Sequence, residues 1–484
     1  MNYQTIIGLE VHAQLLTKSK MYCGCSADYA SAPPNTHVCP VCLGMPGVLP
    51  VINKQAVEFT MMTALALNCP VSEYTKFDRK NYPYPDLMKG YQISQYDAPI
   101  GKKGWLIIEV DGQRKQIGIT RVHLEEDVAK LLHRTPPDGE DYSLVDVNRS
   151  GCPLMEIVGE PDLRSPEEAR QYLIKLRSIL QYLGVSPGNM EEGSFRCDAN
   201  ISLRPEGSQD FTAKVEVKNM NSFKAVFMAM EYEAQRQRKA AAEGKRLIQE
   251  TRGWVEDKGR TVSQRSKEYA HDYRYFPEPD LPPVIIGRDW VEAVRKKLPE
   301  LPEARRDRFV AEYGLTFDDA NELTKSKAMA DYFEDITKSN KNVSPKEVSN
   351  WLLGEANRIM NVHNIDIDAF RKRVGPETLP PLIVSARSTI NIGMAKSVFE
   401  EMYNTGKDSE VIIKERGLSQ ISDTQELENI VAEVINSNMQ PVADYRSGKE
   451  TALKFLVGQV MKATRGRANP QLVNEVLKRK LAET

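Results

Sequence analysis

Glu10 and His12 lie inside the apolar run Ile6-Ile7-Gly8-Leu9-Glu10-Val11-His12-Ala13. Residues two apart in an extended strand share a face, so this spacing sets a carboxylate beside an imidazole. A second acidic group, Glu125-Glu126-Asp127, closes the run Ile117-Gly118-Ile119-Thr120-Arg121-Val122-His123-Leu124. A third carboxylate, Glu156, is set among Leu154, Met155, Ile157 and Val158. An ionised carboxylate buried alone is costly, so such groups are paired or hold a metal. Three such places in one chain predict a hard-cation site of oxygen ligands plus one imidazole, suited to Mg²⁺ and phosphate chemistry. The competing reading ties each carboxylate to a Lys or Arg, or leaves it on a wet strand edge.

A different ligand chemistry follows closely. Cys23-Gly24-Cys25 is separated by 13 residues from Cys39-Pro40-Val41-Cys42. Two close thiolate pairs joined by a short loop have the spacing of a tetrahedral structural Zn²⁺ site, with His37 able to stand in for one cysteine. The alternatives are a redox dithiol or buried free thiols. Cys69, Cys152 and Cys197 are isolated and read as small core residues.

The elements that must position these groups are legible in part. Leu106–Val110, then Asp111-Gly112, then Arg114–Ile119 is a β-hairpin signal. Residues 199–204 and 213–218 alternate with period two. Ser165-Pro166-Glu167-Glu168 reads as a helix start, followed by apolar residues at Ala169, Tyr172, Leu173, Leu176, Ile179, Leu180 and Leu183. Residues 223–247 read as a second helix. Pro277, Pro279, Pro282 and Pro283 break the chain, and from Trp290 onward the pattern is helical. The expected class is α+β: a strand-rich first part, then an all-α part, then a small all-α tail from about residue 405.

Composition bounds the function. The chain has 484 residues and a net charge of −2, so no global basic field draws it to nucleic acid. It contains no apolar run long enough to span a membrane, and its start lacks a signal-peptide pattern, so a soluble cytosolic protein is expected. Seven cysteines in such a chain argue against a disulfide framework. Neither a P-loop nor a dinucleotide-binding glycine turn is present, so any ATP is held by other means. Local charge is concentrated in the tail. From Arg446 onward there are nine Lys or Arg against three Glu, around the turn Lys462-Ala463-Thr464-Arg465-Gly466-Arg467 and a helix opened by Asn469-Pro470. Two short helices presenting a basic turn suit a phosphate backbone; a solvated helical face explains the charge equally well.

The chain resembles the B subunit of the aspartyl/glutamyl-tRNA(Asn/Gln) amidotransferase. The resemblance is carried by Ile7–His12, Phe77–Tyr82 with Tyr84-Pro85-Asp86, Tyr91–Gln95, His123–Asp127, Met190–Ser194, Arg196–Asn200, Asp272–Asp280, Phe455–Met461 and Ala468–Val473. These segments are collinear over essentially the whole chain.

That resemblance implies a cradle-shaped catalytic domain over 1–292, with a zinc loop at 23–42. A helical domain over 293–405 and a YqeY-like tRNA-binding tail over 406–484 follow. It implies an ATP-dependent carbon–nitrogen ligase that converts mischarged Glu-tRNA(Gln), Asp-tRNA(Asn) or both into the amide. The side-chain carboxylate is phosphorylated and then attacked by ammonia. Ammonia is channelled from a glutaminase A subunit, and a small C subunit completes the heterotrimer. The cofactors implied are ATP and Mg²⁺, beside the structural Zn²⁺. The family's Mg²⁺ ligands map onto His12, Glu126 and Glu156, with Glu10 and Glu125 around a second ion. Lys80, Lys89 and Arg79 are expected to neutralise phosphate or line the ammonia entry. Ser194 and Asn200 carry no assigned role. The alternative is a non-catalytic tRNA-binding scaffold within the same complex.

Overall fold

A computed structural model describes residues 3–136, 139–208, 212–266, 273–418, 424–464, 467–468 and 470–483. Asp272 of the Asp272–Asp280 motif, and Arg465, Gly466 and Asn469 of the basic tail, lie outside the described residues. The chain divides into two compact units, Met1–Leu301 and Pro302–Thr484.

The first unit is built on an eight-stranded sheet. Its order is Arg260–Ser266, Glu250–Val255, Val215–Lys218, Phe195–Pro205, Tyr3–Gln14, Pro153–Gly159, Gln113–Glu126 and Gly101–Val110. Neighbours pair antiparallel except Val215–Lys218 with Glu250–Val255, which run parallel. The strand that opens the chain therefore sits at the centre. The expected hairpin forms, closed by Asp111 at φ 50° and Gly112 at φ 74°, the left-handed pair that a tight two-residue turn demands. Ser165 caps the helix Pro166–Leu183 by accepting from the Glu168 N–H, and Gly184, at φ 66°, ends it.

Strand periodicity sorts the two faces. Along Tyr3–Gln14, the side chains of Ile7, Leu9, Val11 and Ala13 are buried in one continuous core with Leu173 and Leu176 of one helix and Val226 and Ala229 of another. Glu10 and His12 fall on the opposite face. The helix expected over 223–247 ends at Ala242. A small sheet of Phe276–Pro277, Asp78–Asn81 and Tyr91–Ser94 supplies the other groups of the site.

Every element described in the second unit is helical, from Pro302–Tyr313 to Pro470–Glu483. It holds two separate apolar cores, one from Phe309 to Ile413 and one from Leu427 to Leu481. Glu334 is a buried electrostatic anchor of the former. Arg305 lies 2.5 Å away, Arg308 3.0 Å, and the Tyr313 hydroxyl donates to it at 3.0 Å. Burial alone would raise its carboxyl, but Arg308 and Arg305 outweigh this and hold it at about 2, below its ordinary 4.5. A depressed carboxylate stabilises above its unfolded value and loses that effect as pH falls through the folded one. Glu334→Gln is therefore expected to cost about 1 kcal/mol at neutral pH, after allowing for solvent screening. In chemical denaturation the difference from the parent should shrink between pH 4.5 and 2.

Some of the tail's positive charge is internally matched. Arg479 and Lys480 pair with Glu428, and Lys449 lies 3.3 Å from Asp444. Among the described residues, no helix is long and apolar enough to cross a membrane.

Candidate active site and cysteine cluster

The open face of the sheet concentrates the chemistry. Register places His12 opposite Glu156, and Glu156 opposite His123, in one row across three strands. Glu125 follows His123 by two residues and joins the same face. His12 Nε2 lies 3.5 Å from a Glu125 oxygen and 3.7 Å from a Glu156 oxygen, and all three donor atoms fall within 4.8 Å of one another. Ligands at about 2.1 Å in an octahedron sit roughly 3.0 Å apart when adjacent and 4.2 Å when opposed. Two carboxylates and one imidazole at these separations fit a divalent cation and leave positions for water or phosphate oxygen.

The electrostatics keep this group charged. Burial alone would raise the Glu156 carboxyl. His123, 3.2 Å away through its Nε2, together with His12 and Lys80, outweighs burial and holds it well below the usual carboxylate range. Burial would likewise lower the Lys80 ammonium, but Glu125 and Glu156 among its neighbours push it above the usual lysine range. Lys80 stands 5.1 Å from the Tyr273 ring centre and 5.8 Å from that of Tyr82, so aromatic faces flank its charge. Burial pushes the nearby Tyr275 phenol up to about 12. Glu10, on the same face, accepts from the Asn200 amide at 2.8 Å.

The three successive acids go three ways. Glu125 joins His12 and Glu156. Glu126, expected as the cation ligand, turns to the other side, where the Lys89 ammonium lies at 2.6 Å and the Ile93 N–H donates at 2.9 Å. The cause is strand geometry: consecutive residues face opposite sides, so only one of the pair can meet His12. Asp127 is buried and accepts from Gln14 and Arg196, each at 2.7 Å. Burial would raise it, yet Arg196 and Arg149 keep it low.

Arg79 and Lys80 divide in the same manner. Lys80 faces the acidic group. Arg79, expected at phosphate, is gripped by Glu278 through two hydrogen bonds of 2.7 Å and lies over the Tyr91 ring.

Lys89 and Glu126 are both largely buried, which sets up a stability test. Lys89→Met strands a buried carboxylate and is expected to cost about 3 kcal/mol. Adding Glu126→Gln should recover much of that loss in a double-mutant cycle read by denaturation.

The four cysteines converge as their spacing predicts, with all sulfurs within 4.8 Å. Sulfurs held tetrahedrally at about 2.3 Å from a zinc lie roughly 3.8 Å apart, and Cys39 Sγ to Cys42 Sγ is 3.9 Å. The Cys39 N–H donates to Cys42 Sγ at 3.1 Å, the turn that aims both sulfurs inward. His37 is not in the group; its carbonyl accepts from the buried Lys20 at 2.8 Å. Hydrogen bonding from Cys23 and the Lys20 charge lower the Cys42 thiol. The loop is packed against the active site. A Cβ on Gly44 would fall 2.6 Å from Lys89 Cγ and 3.0 Å from Lys89 Cα.

His123 is a site residue that the sequence reading passes over. Its signal is present, since His123 and Glu125 repeat the two-residue spacing of Glu10 and His12. Tyr275 and Asp127 carry no comparable signal, because their partners come from distant strands.

Fold and site together define a two-part protein: a mixed α/β unit with a cation-competent polar sheet face, and an all-helical unit. Residues 5–292 match the GatB/GatE catalytic domain, and residues 331–481 match the GatB domain. The chain is 61% identical to the B subunit of the aspartyl/glutamyl-tRNA(Asn/Gln) amidotransferase from Dehalococcoides mccartyi, over 99% of both chains. It is 56% identical to the protein of that name from Carboxydothermus hydrogenoformans, over 99% of each, and to that from Thermomicrobium roseum, over 100% of this chain and 99% of the relative. The chain belongs to the family of B subunits of the aspartyl/glutamyl-tRNA(Asn/Gln) amidotransferases.

Proposed function

We propose that the open sheet face of the first unit activates and amidates the side-chain carboxylate of Glu or Asp carried on tRNA(Gln) or tRNA(Asn). The convergence of His12, Glu125 and Glu156 under the Lys80 ammonium carries this reading.

A free carboxylate acylates poorly because oxide is a bad leaving group. In the proposed reaction a carboxylate oxygen attacks the γ-phosphorus of ATP, the bond to ADP breaks, and an acyl phosphate forms. Ammonia then attacks the carbonyl carbon, phosphate departs with the former carboxylate oxygen, and a proton leaves the nitrogen. Phosphoryl transfer needs charge neutralisation and alignment more than covalent help. A Mg²⁺ held by His12 Nε2, Glu125 and Glu156 supplies, when bound, positive charge against phosphate oxygens. His123 fixes Glu156, Lys80 adds a cation on the same face, and the Asn200 amide orients Glu10 beside them. Glu126 serves as the buried anchor of Lys89 instead of as a cation ligand, and Arg79 clamps the small sheet to Glu278.

The relatives' name supports assembly with a glutaminase A subunit and a small C subunit in the cytoplasm, with ammonia passed between subunits. We assign 1–292 to catalysis, 293–405 to a helical connector and 406–484, with its basic residues, to contact with tRNA. The four-cysteine loop holds a structural Zn²⁺ in this reading.

The assembled enzyme, given mischarged tRNA, ATP and ammonium, tests the assignment. His12→Ala and Glu125→Gln are expected to suppress tRNA-dependent ADP formation at least about a hundredfold, and Glu126→Gln far less. Equal loss in all three would contradict the division between Glu125 and Glu126.

A further inference from the structure

The first strand carries more on its open face than the reaction uses. Beyond Glu10 lie Gly8 and Ile6, and beside them a cavity of about 210 Å³. Ile6, Gly8, Val158 and Pro161 form an apolar wall, while Glu10, Asn200 and Ser202 supply polar groups and Lys214 stands at the side. Gly8 lies in ordinary strand backbone, so its missing side chain serves space and not backbone strain. A Cβ there would meet Pro161 Cα at 3.5 Å and Pro161 Cβ at 3.6 Å, ordinary contact distances. The slot exists because that methyl is absent.

Size, lining and position select the occupant. The volume is below the roughly 300–1,000 Å³ of pockets for drug-sized ligands, so it admits a single ring system with part of a sugar. The wall is apolar and narrow, which suits a flat heterocycle. Glu10 at one end is a carboxylate of the kind that binds ribose hydroxyls in dinucleotide sites. Gly8 is four residues from His12 along one strand, about 13 Å at roughly 3.3 Å per residue, a stretch that a ribose and phosphate chain can bridge.

We propose that this cavity receives an adenosine group, its base between Gly8 and Pro161 and its ribose at Glu10, with phosphates directed along the strand toward His12. The inference rests on reading the His12 group as a phosphate-handling site. Adenosine reaches this enzyme from two sources, ATP and the terminal nucleotide of tRNA, and the same chemistry serves both.

Gly8→Val fills the slot with a residue that strands favour. In the assembled enzyme it is expected to raise KM for ATP about tenfold at unchanged kcat if ATP is the source. If the source is the tRNA end, it should weaken binding of mischarged tRNA by a similar factor. Unchanged values for both, with the thermal transition retained, overturn the proposal. Photolabelling of the unaltered enzyme guards against a variant that fails to fold. 8-Azido-ATP, or tRNA ending in 8-azidoadenosine, should label peptides containing Gly8 or Pro161, and unmodified ligand should protect them. Labelling only elsewhere by both probes overturns the assignment. Because Glu156→Gln reports on activation alone, a normal Gly8→Val beside an inactive Glu156→Gln removes the adenosine site and leaves the phosphate reading standing.

Discussion

The Glu156→Gln enzyme is expected to lose tRNA-dependent ADP formation by at least about a hundredfold, the scale of removing one well-placed electrostatic contact in a dry site. Glutamine keeps the volume and one carbonyl oxygen, so the sheet register with His12 and His123 survives. What goes is a negative charge that two imidazoles and the Lys80 ammonium face. These partners outweigh burial and hold Glu156 ionised far below neutrality. Its charge is therefore complete above its ordinary value of 4.5 and fades only as pH falls through a much lower folded value. Loss of activity between pH 5 and 7 must then come from another group. ADP release measured across that range, with the thermal transition as a folding control, checks both statements. A Glu156→Gln enzyme with near-parental rates would remove the central role of this carboxylate.

Cys42→Ser is expected to have the largest effect on stability. The four sulfurs are already gathered at zinc spacing, and structural zinc contributes folding free energy outright, about 10–16 kcal/mol in isolated finger peptides. Here the loop is also supported by Lys20 and by packing against Lys89, so only part of that stabilisation is at stake. Loss of bound zinc with a fall of about 10 °C in the unfolding midpoint of the first unit is the expected result. Because Gly44 rests on Lys89, which holds Glu126, the same change should loosen the edge of the catalytic face and raise its amide exchange. Elemental analysis of the unaltered protein decides the premise. Absence of zinc there, with equal midpoints in parent and variant, would leave four free thiols and no metal.

What is legible in the sequence is local. The Asp111-Gly112 turn, the Ser165 cap and the Cys39-Pro40-Val41-Cys42 knuckle each need only neighbours within a few residues. The apolar alternation around Glu10 and His12 exposes half of the polar face for the same reason. Orientation at strand ends is not legible. Whether Glu125 or Glu126 meets His12 depends on the register of Gln113–Glu126 against Pro153–Gly159, and that register shifts between Ile119 and Arg121. Nor is the fate of Arg79, whose partner Glu278 comes 199 residues later. The resemblance supplies the family, but sheet register decides which acid faces the imidazole.

The most direct measurement follows an oxygen atom. Mischarged tRNA whose Glu side-chain carboxylate carries heavy oxygen is given to the assembled enzyme with ATP and ammonium. Label should appear in inorganic phosphate in step with amide formation, and should disappear from phosphate when His12, Glu125 or Glu156 is replaced. Unlabelled phosphate from the unaltered enzyme, or continued transfer of label in all three variants, would contradict carboxylate activation on this sheet face.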